Sequence, residues 1–78
     1  MYIKNIVVTT QGGLMTKFVQ KANEYDCSIW VEKGESKISA KTFLGIMAME
    51  ITAGDNITIS ANGEDEQNAV ETLCGLLA

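Results

Sequence analysis

The feature of this sequence that most narrows its fold is a repeated switch between two spacings of apolar residues within 78 positions. Apolar residues at every second position predict a half-buried strand, whereas apolar residues three and four positions apart predict a helix with one apolar face. A chain of this length supports one hydrophobic core. We therefore predict a single domain over residues 1–78, in which every apolar face packs against the same core.

Four segments predict strands. Residues 1–9 are rich in β-branched side chains, and residues 27–32 alternate between apolar and polar positions. The glycine-containing turn at residues 33–35 leads into residues 36–40, which predicts a hairpin. Residues 57–61 alternate in the same way. All four segments are short enough to belong to one sheet.

Three segments predict helices. The first is expected to end near Asp26, and its apolar residues stand three and four positions apart: Met15, Phe18, Val19, Ala22 and Tyr25. The second covers Phe43–Met49 and follows Thr42, whose hydroxyl we expect to accept a free backbone N–H at the helix start. The third follows the acidic run Glu64–Glu66, which suits the positive end of a helix dipole. Its apolar stripe is Val70, Leu73, Cys74 and Leu77.

The resulting element order is βαββαβα, which is typical of an α+β fold. We predict a four-stranded antiparallel sheet with three helices on one face, because an antiparallel sheet can leave its other face open to solvent. Trp30 is expected on that open face, where a cross-strand packing role is favoured over a contact surface.

The residue types that are missing exclude most chemistries. The chain contains no histidine, no arginine and no proline, and its six lysines against ten acidic residues give a net charge of −4. Without an imidazole there is no Ser-His or Cys-His nucleophile. An acidic chain lacks the electrostatic attraction for nucleic acid or an anionic membrane surface. We predict no enzyme activity, no cofactor and no metal site, since Glu64–Glu66 lacks the spaced oxygen ligands of a calcium loop.

The two cysteines bear on the compartment. Cys27 and Cys74 stand among apolar neighbours, and no dense cysteine framework surrounds them. We predict two free, buried thiols in a reducing cytoplasm, with a disulfide between them as the open alternative. No leader or membrane span is predicted either, because no apolar run approaches the ~20 residues that a span requires.

Three segments carry a resemblance to a known family: Gly13–Lys17 (GLMTK), Lys41–Met47 (KTFLGIM) and Ile57–Leu73 (ITISANGEDEQNAVETL). Together they resemble the HPr family, the phosphocarrier proteins of the bacterial phosphoenolpyruvate–sugar phosphotransferase system. The resemblance covers essentially the whole chain. It implies the HPr-like open-faced β-sandwich, which agrees with the βαββαβα order.

The chain departs from the family pattern at the active site. The resemblance places Met15 where the family has its phosphorylated histidine and Lys17 where it has a phosphate-stabilising arginine, and the family's proline is missing. The helix after Lys17 matches only if about four residues, roughly one helical turn, are deleted. An ungapped alignment counted back from Val19 places Gln11 at the histidine position; we favour Met15 because GLMTK keeps the residue order of the family's GLHTR. Neither alignment allows a phosphohistidine.

Two features remain near the predicted second helix. Thr42 aligns with the serine that a dedicated kinase phosphorylates in low-GC Gram-positive relatives, although a plain helix cap is the simpler interpretation. A helix of about two turns cannot bury five large apolar residues. The five are Phe43, Leu44, Ile46, Met47 and Met49. Some of them must therefore face water, beside Met15. In HPr-like proteins this region docks enzymes and regulators.

The resemblance and the departures together predict a regulatory protein–protein interaction module that has lost histidine phosphorylation. Its expected partners are proteins of the phosphotransferase system or of carbon regulation. The predicted partner-binding residues are Met15, Lys17, Phe43, Leu44 and Met47. Two alternatives stay open, a phosphocarrier that uses a non-histidine group and a structural module without a phosphotransferase role. An open sheet face and a methionine-rich helix also leave room for a homodimer.

Overall fold

The computed structural model describes residues 1–9 and 15–78, and within them the chain forms four strands and three helices. The elements are β1 (Tyr2–Val7), α1 (Met15–Ala22), β2 (Cys27–Lys33), β3 (Ser36–Ser39), α2 (Phe43–Ala48), β4 (Asn56–Gly63) and α3 (Glu66–Leu77). The predicted βαββαβα order is confirmed.

The four strands form one antiparallel sheet in the order β1-β4-β2-β3. The register aligns Ile6 with Ile57, and Val31 with both Ile59 and Ile38. These residues lie on the face that the three helices cover, so the predicted open-faced α+β sandwich is confirmed. The largest fully buried side chains come from both layers of this contact, the sheet and the helices: Phe18, Ile29, Ile46, Ile59, Leu73 and Leu77.

The first helix ends earlier than predicted, at Ala22 rather than near Asp26. The side-chain amide of Asn23 donates to the carbonyl of Val19 at 2.9 Å and to that of Lys41 at 3.3 Å. The backbone N–H of Asn23 still donates to the Val19 carbonyl at 3.1 Å, but the next two N–H groups donate to carbonyls only three residues earlier, so the α-helical pattern ends here. The Lys41 ammonium then binds the carbonyl of Tyr25 at 2.7 Å. Tyr25 still packs against the core, but from a turn rather than from the helix.

The third helix is anchored at its start by Glu66. The backbone N–H of Gly63 donates to the Glu66 carboxylate at 3.1 Å, and the N-terminal amine of Met1 lies 3.0 Å from it. These two contacts, the backbone hydrogen bond first, hold the pKa of Glu66 below its usual value. Glu66 of the acidic run thus stands in the first turn of α3, and the effect of its charge on the helix dipole stays a prediction.

The first strand is fastened to α3 by polar side chains. Tyr2 donates its hydroxyl to Glu71 at 2.9 Å, and the Lys4 ammonium lies 2.6 Å from the other oxygen of the same carboxylate. The hydrogen bonds from Lys4 and Tyr2 lower the pKa of Glu71. Because these groups are exposed, they orient β1 against α3 and add little to the free energy of unfolding.

The open face of the sheet carries Trp30, as predicted. The register pairs Trp30 with Ser60, and Ser60 in turn with Ile3. The Lys37 ammonium lies 5.2 Å from the centroid of the Trp30 ring, which is within the range of a cation–π contact. Trp30 is half-buried. Cross-strand packing therefore accounts for this side chain.

Both cysteines are free and buried, which confirms that prediction. Desolvation raises the pKa of the Cys27 and Cys74 thiols. They behave as small apolar groups rather than as nucleophiles. In the part of the chain that the structure describes, no helix is long and apolar enough to cross a bilayer.

The second helix lies close to β3, and Gly45 makes this possible. A Cβ atom built at Gly45 would stand 2.5 Å from Cγ2 of Ile38, too short for an ordinary contact. In α3, by contrast, nothing lies within 4 Å of a Cβ atom built at Gly75. An added methyl group would therefore clash at Gly45 but not at Gly75.

We expect Gly45→Ala to lower the free energy of unfolding by about 1 kcal/mol, because overpacking against Ile38 outweighs the better helix propensity of alanine. The matched control, Gly75→Ala, should raise it by about 0.5–1 kcal/mol through propensity alone. Urea denaturation followed by circular dichroism measures both changes. A Gly45→Ala variant that gains as much stability as Gly75→Ala contradicts the close packing of α2 on β3.

Candidate functional site

The exposed apolar surface of α2 is the candidate site. Leu44 is 80% exposed, Met47 is 50% exposed and Phe43 is 42% exposed, whereas Ile46 of the same helix is completely buried. We call the three exposed residues the α2 patch. The expectation that some of the large apolar residues of this helix face water is confirmed.

The length of α2 explains why the patch exists. The helix has six residues, fewer than two turns, so only one narrow side of it can meet the core. Ile46 occupies that side, and Met49 is buried just beyond the last helical residue. The other large side chains of the helix are exposed, because no other element of the described chain covers them. Methionine and phenylalanine in such a position are typical of an adaptable contact surface.

Lys33 holds the C-terminal end of α2 in place. Its ammonium lies 3.0 Å from the carbonyl oxygen of Met49 and 2.9 Å from that of Glu50. A cation at this end of a helix compensates both the free carbonyl groups and the dipole. The same ammonium forms an ion pair with Asp55 at 2.9 Å, so one side chain joins the hairpin, α2 and the start of β4.

The Asp55 carboxylate completes this junction. It accepts a hydrogen bond from the backbone N–H of Thr52 at 2.9 Å in addition to its contact with Lys33. The Lys33 contact first, and the Thr52 N–H second, lower the pKa of Asp55 below its usual value. Sequence reasoning missed this cluster, because Lys33 stands 16 residues before Met49 and no local pattern joins them.

Thr42 occupies the predicted helix-cap position, but it does not cap in the predicted way. Its backbone carbonyl accepts the N–H of Ile46 at 3.0 Å, whereas its side chain forms no capping hydrogen bond. The methyl carbon of Thr42 is the side-chain atom that lies toward Gly45, 3.4 Å from where a Cβ would stand. The expectation of a hydroxyl cap is therefore wrong, and the Thr42 side chain is exposed to solvent.

Met15 is a core residue, as its place in the apolar stripe of the first helix predicts, and its role in partner binding stays a prediction. It is 6% exposed and shares the buried face of α1 with Phe18, Val19 and Ala22, at helical spacing. Helix α1 runs without a break through Lys17 and Phe18. Gln11 and the segment Gly13–Leu14 lie outside the described residues. The choice between Met15 and Gln11 at the family's histidine position therefore stays a prediction.

Met15 nevertheless comes close to α2. A pocket of about 310 Å³ is lined by Met15, Ile46, Met47, Glu50 and Ile51. Lys17 is exposed and forms no ion pair with a described acidic residue. The structure thus brings Met15 and Met47 together at one pocket, beside the patch formed by Met47 with Phe43 and Leu44.

The site has the chemistry of a contact surface rather than of a catalyst. Its exposed groups are thioether, aromatic and aliphatic side chains, with one threonine hydroxyl and one carboxylate at the edges. Among the described residues, no cluster of three or more cysteine and acidic side chains is arranged to hold a metal ion. What this arrangement can do is exclude water against another apolar surface.

We expect Lys33→Met to lower the thermal unfolding midpoint, because the carbonyl groups at the end of α2 lose their cation. The pKa of Asp55 should rise toward 3.8 at the same time. Since the folded-state pKa of Asp55 is lowered, its contribution to stability exists above the unfolded-state pKa and is lost as the pH falls through the folded-state pKa. The variant lacks part of this contribution at neutral pH. Its stability should therefore fall less than that of the wild type when the pH is lowered through the folded-state pKa of Asp55.

Thermal unfolding at a series of pH values from neutral to below the folded-state pKa of Asp55 measures the stability. An NMR titration of the Asp55 carboxyl carbon measures its pKa. Lys21→Met is the control, since Lys21 forms only an exposed pair with Glu24 at 3.3 Å. An unchanged Asp55 titration in Lys33→Met contradicts the junction.

Comparison with known proteins finds one family that matches almost the whole chain. The family model described as the phosphotransferase-system HPr component phosphorylation site matches residues 4–78. The HPr-like protein Crh of Halalkalibacterium halodurans is 36% identical over 81 residues, which cover 99% of this chain and 96% of the relative.

Solved structures agree. The phosphocarrier protein HPr from Bacillus anthracis superposes with a TM-score of 0.94 at 33% identity, covering 99% of this chain and 96% of the other. Crh of Bacillus subtilis, solved as a dimer with a swapped domain, superposes with a TM-score of 0.76 at 34% identity, covering 91% and 82%.

Proposed function

This chain belongs to the HPr family of the phosphotransferase system, and we propose that it serves there as a regulatory protein–protein interaction module rather than as a histidine phosphocarrier or an enzyme. The α2 patch carries this proposal, because an exposed apolar surface on a short helix is suited to docking another protein. A second argument comes from the residue types that the chain lacks.

The sequence contains no histidine. A phosphocarrier of this family holds its phosphoryl group on an imidazole nitrogen, from which it passes to the next protein. The thioether of Met15 cannot hold a phosphoryl group reversibly, and the side-chain amide of Gln11 is no nucleophile for it either. Uptake of acid-labile phosphate from phosphoenolpyruvate and the first enzyme of the system would contradict this part of the proposal.

The partners that we propose are proteins of the phosphotransferase system or of carbon regulation in the cytoplasm. The relative from Halalkalibacterium halodurans is named an HPr-like protein, and the Bacillus subtilis relative is described as a catabolite repression protein. Docking would use the α2 patch, with Lys17 as an exposed cation on the neighbouring helix. We also propose a homodimer as a second assembly, since that relative was solved as a dimer.

Thr42 is the proposed point of regulation. Its side chain is exposed and free of a capping hydrogen bond, so a kinase could reach the hydroxyl without breaking a contact of the described chain. A phosphate there would add about two negative charges directly beside Phe43. Such a group changes which partner surfaces the α2 patch can accept.

We expect an HPr kinase with ATP to add one phosphate to the wild-type protein. Thr42→Val keeps the shape of the side chain but removes the hydroxyl, so this variant should gain none. Intact-mass spectrometry measures both. Wild-type protein that stays unmodified would contradict phosphorylation by this kinase. A Thr42→Val variant that is still phosphorylated would show that another residue is modified.

We expect Phe43→Lys and Met47→Lys each to weaken capture of native partners at least about tenfold, because a lysine ammonium cannot be buried in an apolar contact without a large desolvation cost. Ile3→Lys is the matched control: Ile3 is 58% exposed but lies on the open face of the sheet. Quantitative pull-down from the native cytoplasm, with circular dichroism to verify folding, measures the effect. Partners that all three variants retain equally exclude α2 as the docking surface.

A further inference from the structure

The pocket beside the α2 patch differs from the patch in having an acidic residue among those that line it. Met15, Ile46, Met47 and Ile51 supply apolar walls, and among the described residues that line the pocket Glu50 is the only charged one. Its volume, about 310 Å³, is at the lower end of the roughly 300–1,000 Å³ found for small-molecule sites. A single long side chain fits such a space better than a cofactor does.

Glu50 is held in a conformation that its side chain does not favour. Its φ angle is 52°, in the left-handed region that glycine adopts without cost. The residue follows the C-cap of α2, and its N–H donates to the carbonyl of Met47 at 3.2 Å, which is the left-handed end that many helices adopt. This helix end places Glu50 among the residues that line the pocket.

The lysine that contacts the backbone of Glu50 has its ion pair elsewhere. Lys33 contacts the backbone carbonyl of Glu50 at 2.9 Å, and its charge is paired with the carboxylate of Asp55. The Glu50 side chain is exposed and forms no ion pair with any residue of ranges 1–9 and 15–78. It therefore remains available to a cation from outside the chain.

We propose that this pocket receives a lysine side chain of the docking partner, with its apolar stem against Met15 and Met47 and its ammonium beside the Glu50 carboxylate. The inference rests on the proposed docking function and adds the chemistry of the partner segment. Apolar residues of that segment cover the α2 patch, and one basic residue next to them enters the pocket. The net charge of −4 favours approach of such a segment.

Three six-carbon fragments that differ only in the end group test this inference: hexylammonium, hexanol and hexanoate. NMR titration of protein labelled at the methionine methyl groups follows Met15 and Met47 in the pocket, with Met1 as a distant reference. We expect hexylammonium to bind about two- to five-fold more tightly than hexanol, and hexanoate to bind most weakly, because the exposed carboxylate favours a cation modestly. Added salt should reduce this preference.

Two substitutions at Glu50 separate charge from folding. Glu50→Gln should make hexylammonium and hexanol bind equally. Glu50→Gly should do the same while raising the denaturation midpoint, since glycine relieves the left-handed strain, so the lost preference cannot come from unfolding. The control Glu64→Gln removes an exposed carboxylate at the other end of β4 and should keep the wild-type preference.

Equal binding of the three fragments to the wild type, or a preference for hexylammonium that persists in Glu50→Gln, overturns the inference. The pull-down with the Phe43 and Met47 variants decides separately on docking. Partners lost in those variants, together with no ammonium preference, would contradict the pocket alone. Partners retained in them would contradict docking through α2, whatever the fragments do.

Discussion

Burial of one apolar face of each helix against one face of a four-stranded sheet is the interaction on which this molecule depends. A 78-residue chain can build one such layer and no more. Helices α1 and α3 are long enough to contribute whole stripes to it, from Phe18 to Ala22 and from Ala69 to Leu77. Helix α2 contributes Ile46 to this core, and its other large side chains remain exposed. The candidate site is thus made of apolar side chains that the core leaves uncovered.

Most of the fold follows from the spacing of apolar residues. The order of elements, the hairpin after Lys33, the buried stripe of α3 and the open face around Trp30 all agree with the sequence pattern, because period and burial are directly connected. What the pattern does not contain is the behaviour of polar side chains across long separations. The Asn23 amide joins the end of α1 to Lys41, and Lys33 fastens the end of α2.

The candidate site was predicted less completely than the fold, for a related reason. The sequence indicates that α2 has too many apolar residues for its length, but not which of them face water. Resemblance to HPr suggests a surface role for Met15, whereas helical spacing with Phe18 and Val19 places it in the core. The hydroxyl of Thr42 depends on a rotamer that no pattern specifies. Glu50 carries no signal at all until its backbone conformation is seen.

The half-buried indole of Trp30 has a practical consequence. It is the only tryptophan in the sequence, and it lies on the open face of the sheet with the Lys37 ammonium over its ring. Helix α2 is on the opposite face. Intrinsic tryptophan fluorescence of this chain therefore reports on the β2–β3 hairpin from the side of the sheet away from α2. The molecule contains its own optical probe of folding.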